Sequence, residues 1–176
     1  MTIPLRHARL DVVRWTLERD ARTHLAAHLP SAEPLHVGEW HTDDRVSTIL
    51  ARDLDGRPLW GALMAEGERD PWIVPTFGGL LLVSNEGLLL IDDRAQILAN
   101  EGPFVDLRDV LIANRVVWVI GDYDAIRVTG TGCQNFTPGM GAWDGWRLDG
   151  DRLVAWMHEE APEVLGDLLP LVSGPP

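Results

Sequence analysis

The 176-residue chain contains no lysine; its fifteen basic residues are all arginine. That absence removes a Schiff-base lysine, a catalytic amine and the phosphate-gripping lysine of a P-loop together, and arginine-only usage fits a GC-rich genome. Cysteine is nearly as scarce. The lone Cys133 can close no internal disulfide, which suits a reducing cytoplasm. Long apolar runs are missing too: the longest candidate, Leu80 to Ile91, is interrupted by Ser84, Asn85, Glu86 and Gly87, well short of the roughly 20 residues a spanning helix needs. The opening MTIPLRHARLDVVRW carries charges where a secretion signal would have its apolar stretch. A soluble, unprocessed, cytoplasmic protein is the expectation.

Positive charge is the remaining shortage. The formal net charge is -12, so a polyanion is repelled unless a local basic patch overcomes the field. Residues 1 to 28 hold five Arg against three acids, and the rest holds ten Arg against 24 acids. This reads as a mildly basic helix docked on an acidic body, with neither nucleic acid nor membrane as its expected partner.

What is present, with 45% hydrophobic residues, fits one domain spanning 1 to 176. Leu10, Val13, Leu17, Ala21, His24 and His28 recur at three- and four-residue steps, which predicts a helix over 5 to 28 ended by Pro30. From about 46 to 158, short apolar runs are separated by turn residues at Asp55-Gly56, Ser84 to Gly87, Asn114-Arg115, Gly121 to Asp124 and Asp149 to Asp151. A short C-terminal helix is predicted near 161 to 170. The expected fold is α+β: an N-terminal helix packed on a mainly antiparallel, meander-like bent sheet (roll, sandwich or partial barrel). The stretch GGLLLVSNEGLLLIDDRAQILANEG resembles part of a β-propeller blade, but residues 46 to 158 hold fewer than three blades of about 40 to 45 residues.

Residues 130 to 145, GTGCQNFTPGMGAWDG, read as a long irregular loop. Gly130-Thr131-Gly132 starts a dinucleotide fingerprint, but Asn135 stands at its third glycine. Asp pairs at 53/55, 92/93, 122/124 and 149/151 fall in turns, where Asp side chains cap backbone N–H groups.

Four of six histidines lie between Thr23 and Asp44. His24 and His28 share a helical face, and His36 and His41 could join them with nearby carboxylates to hold a divalent metal such as zinc. The pair lacks the embedded Glu of a zinc-protease helix, because Leu25 and Ala26 stand there. The competing reading makes these rings the cover of a helix end. His158, beside Glu159 and Glu160, is a further imidazole among carboxylates. Of eight tryptophans, Trp143 and Trp146 leave the irregular loop and Trp40 sits among the histidines; these three are the binding candidates, with core packing as their default.

No coherent catalytic set emerges. The sequence points to a non-enzymatic acidic binding module without a cofactor, taking a basic protein partner or a small ligand through its sheet face and the 130 to 146 loop. The alternative is a metal-dependent hydrolase or cupin-like metal-binding β-fold built on His24, His28, His36 and His41.

Overall fold

A computed structural model describes residues 2–4, 8–38, 45–67, 70–76, 79–92, 94–102, 107–113, 116–130, 132–136, 142–150, 152–156 and 163–165. The described residues are mostly β, with 62% strand and 9% helix in four mostly antiparallel sheets, and the chain divides into two compact units, 1–104 and 105–176.

This corrects the expected α+β architecture at both ends. Arg9–Trp15, expected to be helical, is a strand. Within RLDVVRW the three- and four-residue spacing coexists with alternation, and Val12, Val13 and Trp15 favour the pleated backbone. Pairing from Arg9↔Arg52 through Trp15↔Val46 then fixes the choice. The helix, α1, spans only Glu18–His28, with Glu18 and Asp20 in its first turn and His28 in its last, each complementing the helix dipole. At the other end Glu163–Leu165 is a strand, antiparallel to Arg152–Trp156; the rest of the expected C-terminal helix lies outside the described residues.

In the first unit, β1 (Thr2–Pro4), β2 (Arg9–Trp15), β3 (Leu35–Val37), β4 (Val46–Arg52) and β5 (Pro58–Ala65) form a sheet in the order β1-β2-β4-β5-β3. Among the described strands only β3, paired with β5, runs parallel to its neighbour. A second sheet is a four-stranded meander of β6 (Trp72–Thr76), β7 (Gly79–Ser84), β8 (Gly87–Asp92) and β9 (Ile97–Glu101). Leu10, Ile49, Ala62 and Met64 of the first sheet share one core with Leu80, Leu82, Leu89 and Ile91 of the second. The opposite face of β4 and β5 is covered by α1, whose Ala21 and Leu25 pack on Val46, Leu50 and Leu63. Coverage on both faces explains why β4 reads as a nearly unbroken buried run.

The second unit has a meander of β10 (Asp109–Ala113), β11 (Val116–Ile120), β12 (Ala125–Thr129) and β13 (Gly132–Phe136), and a sheet of β14 (Gly145–Asp149), β15 (Arg152–Trp156) and β16 (Glu163–Leu165). Trp118, Ile120, Trp143 and Leu153 lie in its core. The stretch expected to be one long loop is partly β13, paired with β12 from Ala125↔Phe136 to Thr129↔Gly132. The polar side chains of Cys133 to Asn135 hide a strand whose ladder is nonetheless complete.

Candidate functional site

His24 and His28 do meet, with ring centroids 5.0 Å apart, but their surroundings are those of a packed helix end. The His24 ring lies 5.1 Å from that of Trp15, and Trp15 donates its indole N–H to Thr48 Oγ1 at 3.0 Å. Arg52 Nη2 lies 3.5 Å from His28 Nδ1, while Arg52 Nε is paired with Asp11 Oδ2 at 3.0 Å. His36 stands on β3, and His41 and Trp40 lie outside the described residues. Among the described residues no group of three or more His, Cys, Asp or Glu side chains could hold a metal ion.

Burial, the neighbouring His28 and the Arg52 guanidinium hold His24 below its ordinary pKa of 6.5. His36 is also lowered, by desolvation and Arg22, against the opposing carboxylates Glu18 and Glu33. Below pH 6.5 the unfolded chain therefore binds protons that the folded chain resists, and stability falls as the pH drops from about 7.5 to 5.5. Urea midpoints across that range show the decline, and His24→Gln makes it shallower; an unchanged slope in that variant removes His24 as a cause.

Trp143 and Trp146, the two binding candidates of the second unit, pack with its core. Trp143 is only 5% exposed, and its backbone N–H donates to the Asp122 carbonyl at 2.9 Å. Trp146 is half-buried and its Nε1–H donates to Asp109 Oδ2 at 3.2 Å. Asp122 is paired with Arg108. Turn aspartates cap the backbone as their residue type favours: Asp53 Oδ1 accepts from Arg57 N at 2.8 Å and Asp92 Oδ1 from Gln96 N at 2.8 Å.

The concave site lies at one end of the first unit. A cleft of about 250 Å³ is lined by His36, Gly38, Glu86, Asn100, Glu101 and Gly102. It is assembled from the end of β3, the β7–β8 turn and the end of β9. Its floor is three backbones in close contact. A β-carbon on Gly87 would fall 2.9 Å from Gly38 Cα, and one on Gly102 would fall 2.6 Å from Gly87 Cα.

Beside the cleft, at the end of β5, Glu66 is fully buried. The Ser47 hydroxyl donates to its Oε1, which also lies 3.3 Å from Arg14 Nε. Among the described residues Glu66 Oε2 and Asn85 Oδ1 are buried acceptors without a hydrogen-bond partner, and a β-carbon on Gly67 would fall 2.9 Å from both Asn85 Cβ and Glu86 Oε1. Glu66-Gly67, Glu86-Gly87 and Glu101-Gly102 thus gather at this end, each carboxylate followed by a glycine. Of this group the sequence marks only His36 as a site candidate, with Asn85 to Gly87 read as a turn. The usable signal was the recurrence of Asn-Glu-Gly at 85–87 and again at 100–102.

No known protein family, curated protein or solved structure matches the chain. No helix among the described residues is long and apolar enough to cross a membrane.

Proposed function

We propose that the protein is a non-enzymatic binding module whose cleft receives a lysine or arginine side chain from a basic protein partner. The observation that carries this reading is a cleft lined by two acidic residues, Glu86 and Glu101, with His36 the one titratable base among its described lining residues. Desolvation and the Arg22 guanidinium lower the pKa of His36 and so disfavour its charged form. At about 250 Å³ the space is smaller than the roughly 300 to 1,000 Å³ of pockets that enclose drug-sized ligands, and it suits one side-chain head group. The chain's net charge of -12 adds long-range attraction for a basic partner and repulsion for an acidic one.

A capped peptide of alternating lysine and valine is the probe, with affinity read by calorimetry at low salt. Glu86→Gln with Glu101→Gln weakens it about tenfold, as expected for two partly exposed ion pairs worth roughly 0.5 to 1 kcal/mol each. Added salt weakens the unaltered protein in the same direction. Equal affinity of the double variant and the parent would defeat the reading.

A further inference from the structure

The strand that ends in the cleft lies at the border of its sheet among the described residues. Among the described residues β9 pairs only with β8, through Leu88↔Glu101, Leu89↔Asn100, Leu90↔Ala99 and Ile91↔Ile97, and forms the border of its sheet. Its sequence is Ile-Leu-Ala-Asn-Glu, with Ile97 53% and Leu98 40% exposed. Edge strands are ordinarily blunted by proline, lysine or a covering element, because their unpaired N–H and C=O groups template another strand. The opposite border, β6, carries such a guard in exposed Pro75. No proline or basic residue interrupts β9; its one irregularity is a register shift against β8 that leaves Leu98 without an opposite residue.

We infer that β9 is a strand-addition site, and that the occupant is an extended segment of a basic partner which pairs with β9 and delivers its cationic side chain to the cleft. This deepens the function proposed above and rests on it. Continuity supports the inference: Asn100 and Glu101 belong to the β9 ladder and also line the cleft. From Ile97 to Glu101 is four steps, or about 13 Å at the rise of an extended strand. The fitting segment therefore carries apolar side chains over Ile97 and Leu98 and a Lys or Arg about four positions away. Backbone pairing supplies affinity without regard to sequence, and the cleft supplies selectivity. Charge selects this occupant over a second copy of the chain, since two copies would each bring a net charge of -12.

The test compares the capped lysine–valine peptide with the same peptide N-methylated at two consecutive central residues, which keeps every side chain and leaves neither edge able to pair. Strand addition requires at least a tenfold loss on methylation, and slowed hydrogen exchange at the amides of residues 97–101 when the parent peptide is bound. Ile97→Ser with Leu98→Ser weakens the parent peptide in the same direction while the melting temperature holds. If both peptides bind equally and both still depend on Glu86 and Glu101, strand addition is wrong and the cation cleft stands. If the parent peptide does not bind at all, both proposals fall. If the 97–101 amides are protected without peptide, in proportion to protein concentration, β9 pairs with a second copy and the inference is overturned.

Discussion

Replacing Arg14 with methionine destabilises the first unit by about 3 kcal/mol, because it strips a buried carboxylate of its near cation. Glu66 has no exposed surface; the Ser47 hydroxyl donates to Oε1, and Arg14 Nε approaches the same oxygen at 3.3 Å. Arg45 Nε stands 4.0 Å from Oε2, beyond hydrogen-bonding distance. Removing one partner of a buried pair ordinarily costs about 3 to 5 kcal/mol. The lower end applies here because Arg14 is itself 49% exposed and Arg45 remains. Methionine keeps the aliphatic stem, so the loss reads the charge more than the packing. Asp70, which pairs with Arg14 Nη2 at 2.9 Å, is 72% exposed and returns to water at little cost.

Urea unfolding of two variants separates the causes. In Arg14→Met with Glu66→Met the uncompensated charge is gone, and that double variant is more stable than Arg14→Met alone, since an apolar pair can replace a buried ionic one. A loss below about 1 kcal/mol in the single variant would show that Arg45 or solvent carries the carboxylate.

Strands announced themselves where alternation or apolar runs met strong turn residues. Leu80 to Ile91 folds as the hairpin its sequence suggested, closed at Ser84↔Gly87, and Asp55-Gly56 turns between β4 and β5 with Gly56 at φ +85°. Within the Ser84 to Gly87 turn, Gly87 does not take a positive φ; its missing side chain admits Gly38 and Gly102. The N-terminal segment failed because spacing was weighed without its partner strand. Val13 and Leu17, counted as one helical stripe, are 37% and 52% exposed, and what buries Leu10 is its place opposite Ala51.

The site was less legible than the strands for a topological reason. Its lining comes from 36, 38, 86 and 100–102, and β3 reaches that corner only by pairing parallel to β5, a contact with no local sequence signature. The His24–His28 encounter, by contrast, follows from helical spacing alone. Proximity of histidines was thus readable, while the groups around them, Trp15 and Arg52, were not.

Gly38→Ala is expected to cost about 2 to 5 kcal/mol and to open the cleft, from two separable causes. The first is backbone conformation: Gly38 sits at φ +81°, where an L side chain costs roughly 1 to 2 kcal/mol. The second is contact. Its added carbon would stand 2.5 Å from Glu86 Cβ, 2.8 Å from the Glu86 carbonyl carbon and 2.9 Å from that oxygen, and overpacking of this kind costs about 1 to 3 kcal/mol. Two of those three atoms are backbone, and the turn that carries them is pinned on both sides by Ser84↔Gly87 and Leu88↔Glu101. Relief therefore requires moving the β7–β8 turn, which takes Glu86 with it. Gly38→Asn tells the causes apart, since asparagine tolerates the left-handed region and keeps the same β-carbon. If contact dominates, both variants lose similar stability and bind the lysine–valine peptide more weakly than Glu86→Gln with Glu101→Gln does. If strain dominates, the asparagine variant recovers most of the stability and the cleft keeps its shape. Unchanged urea midpoints in both would mean that the three glycine backbones do not approach one another, and the cleft would lose its floor.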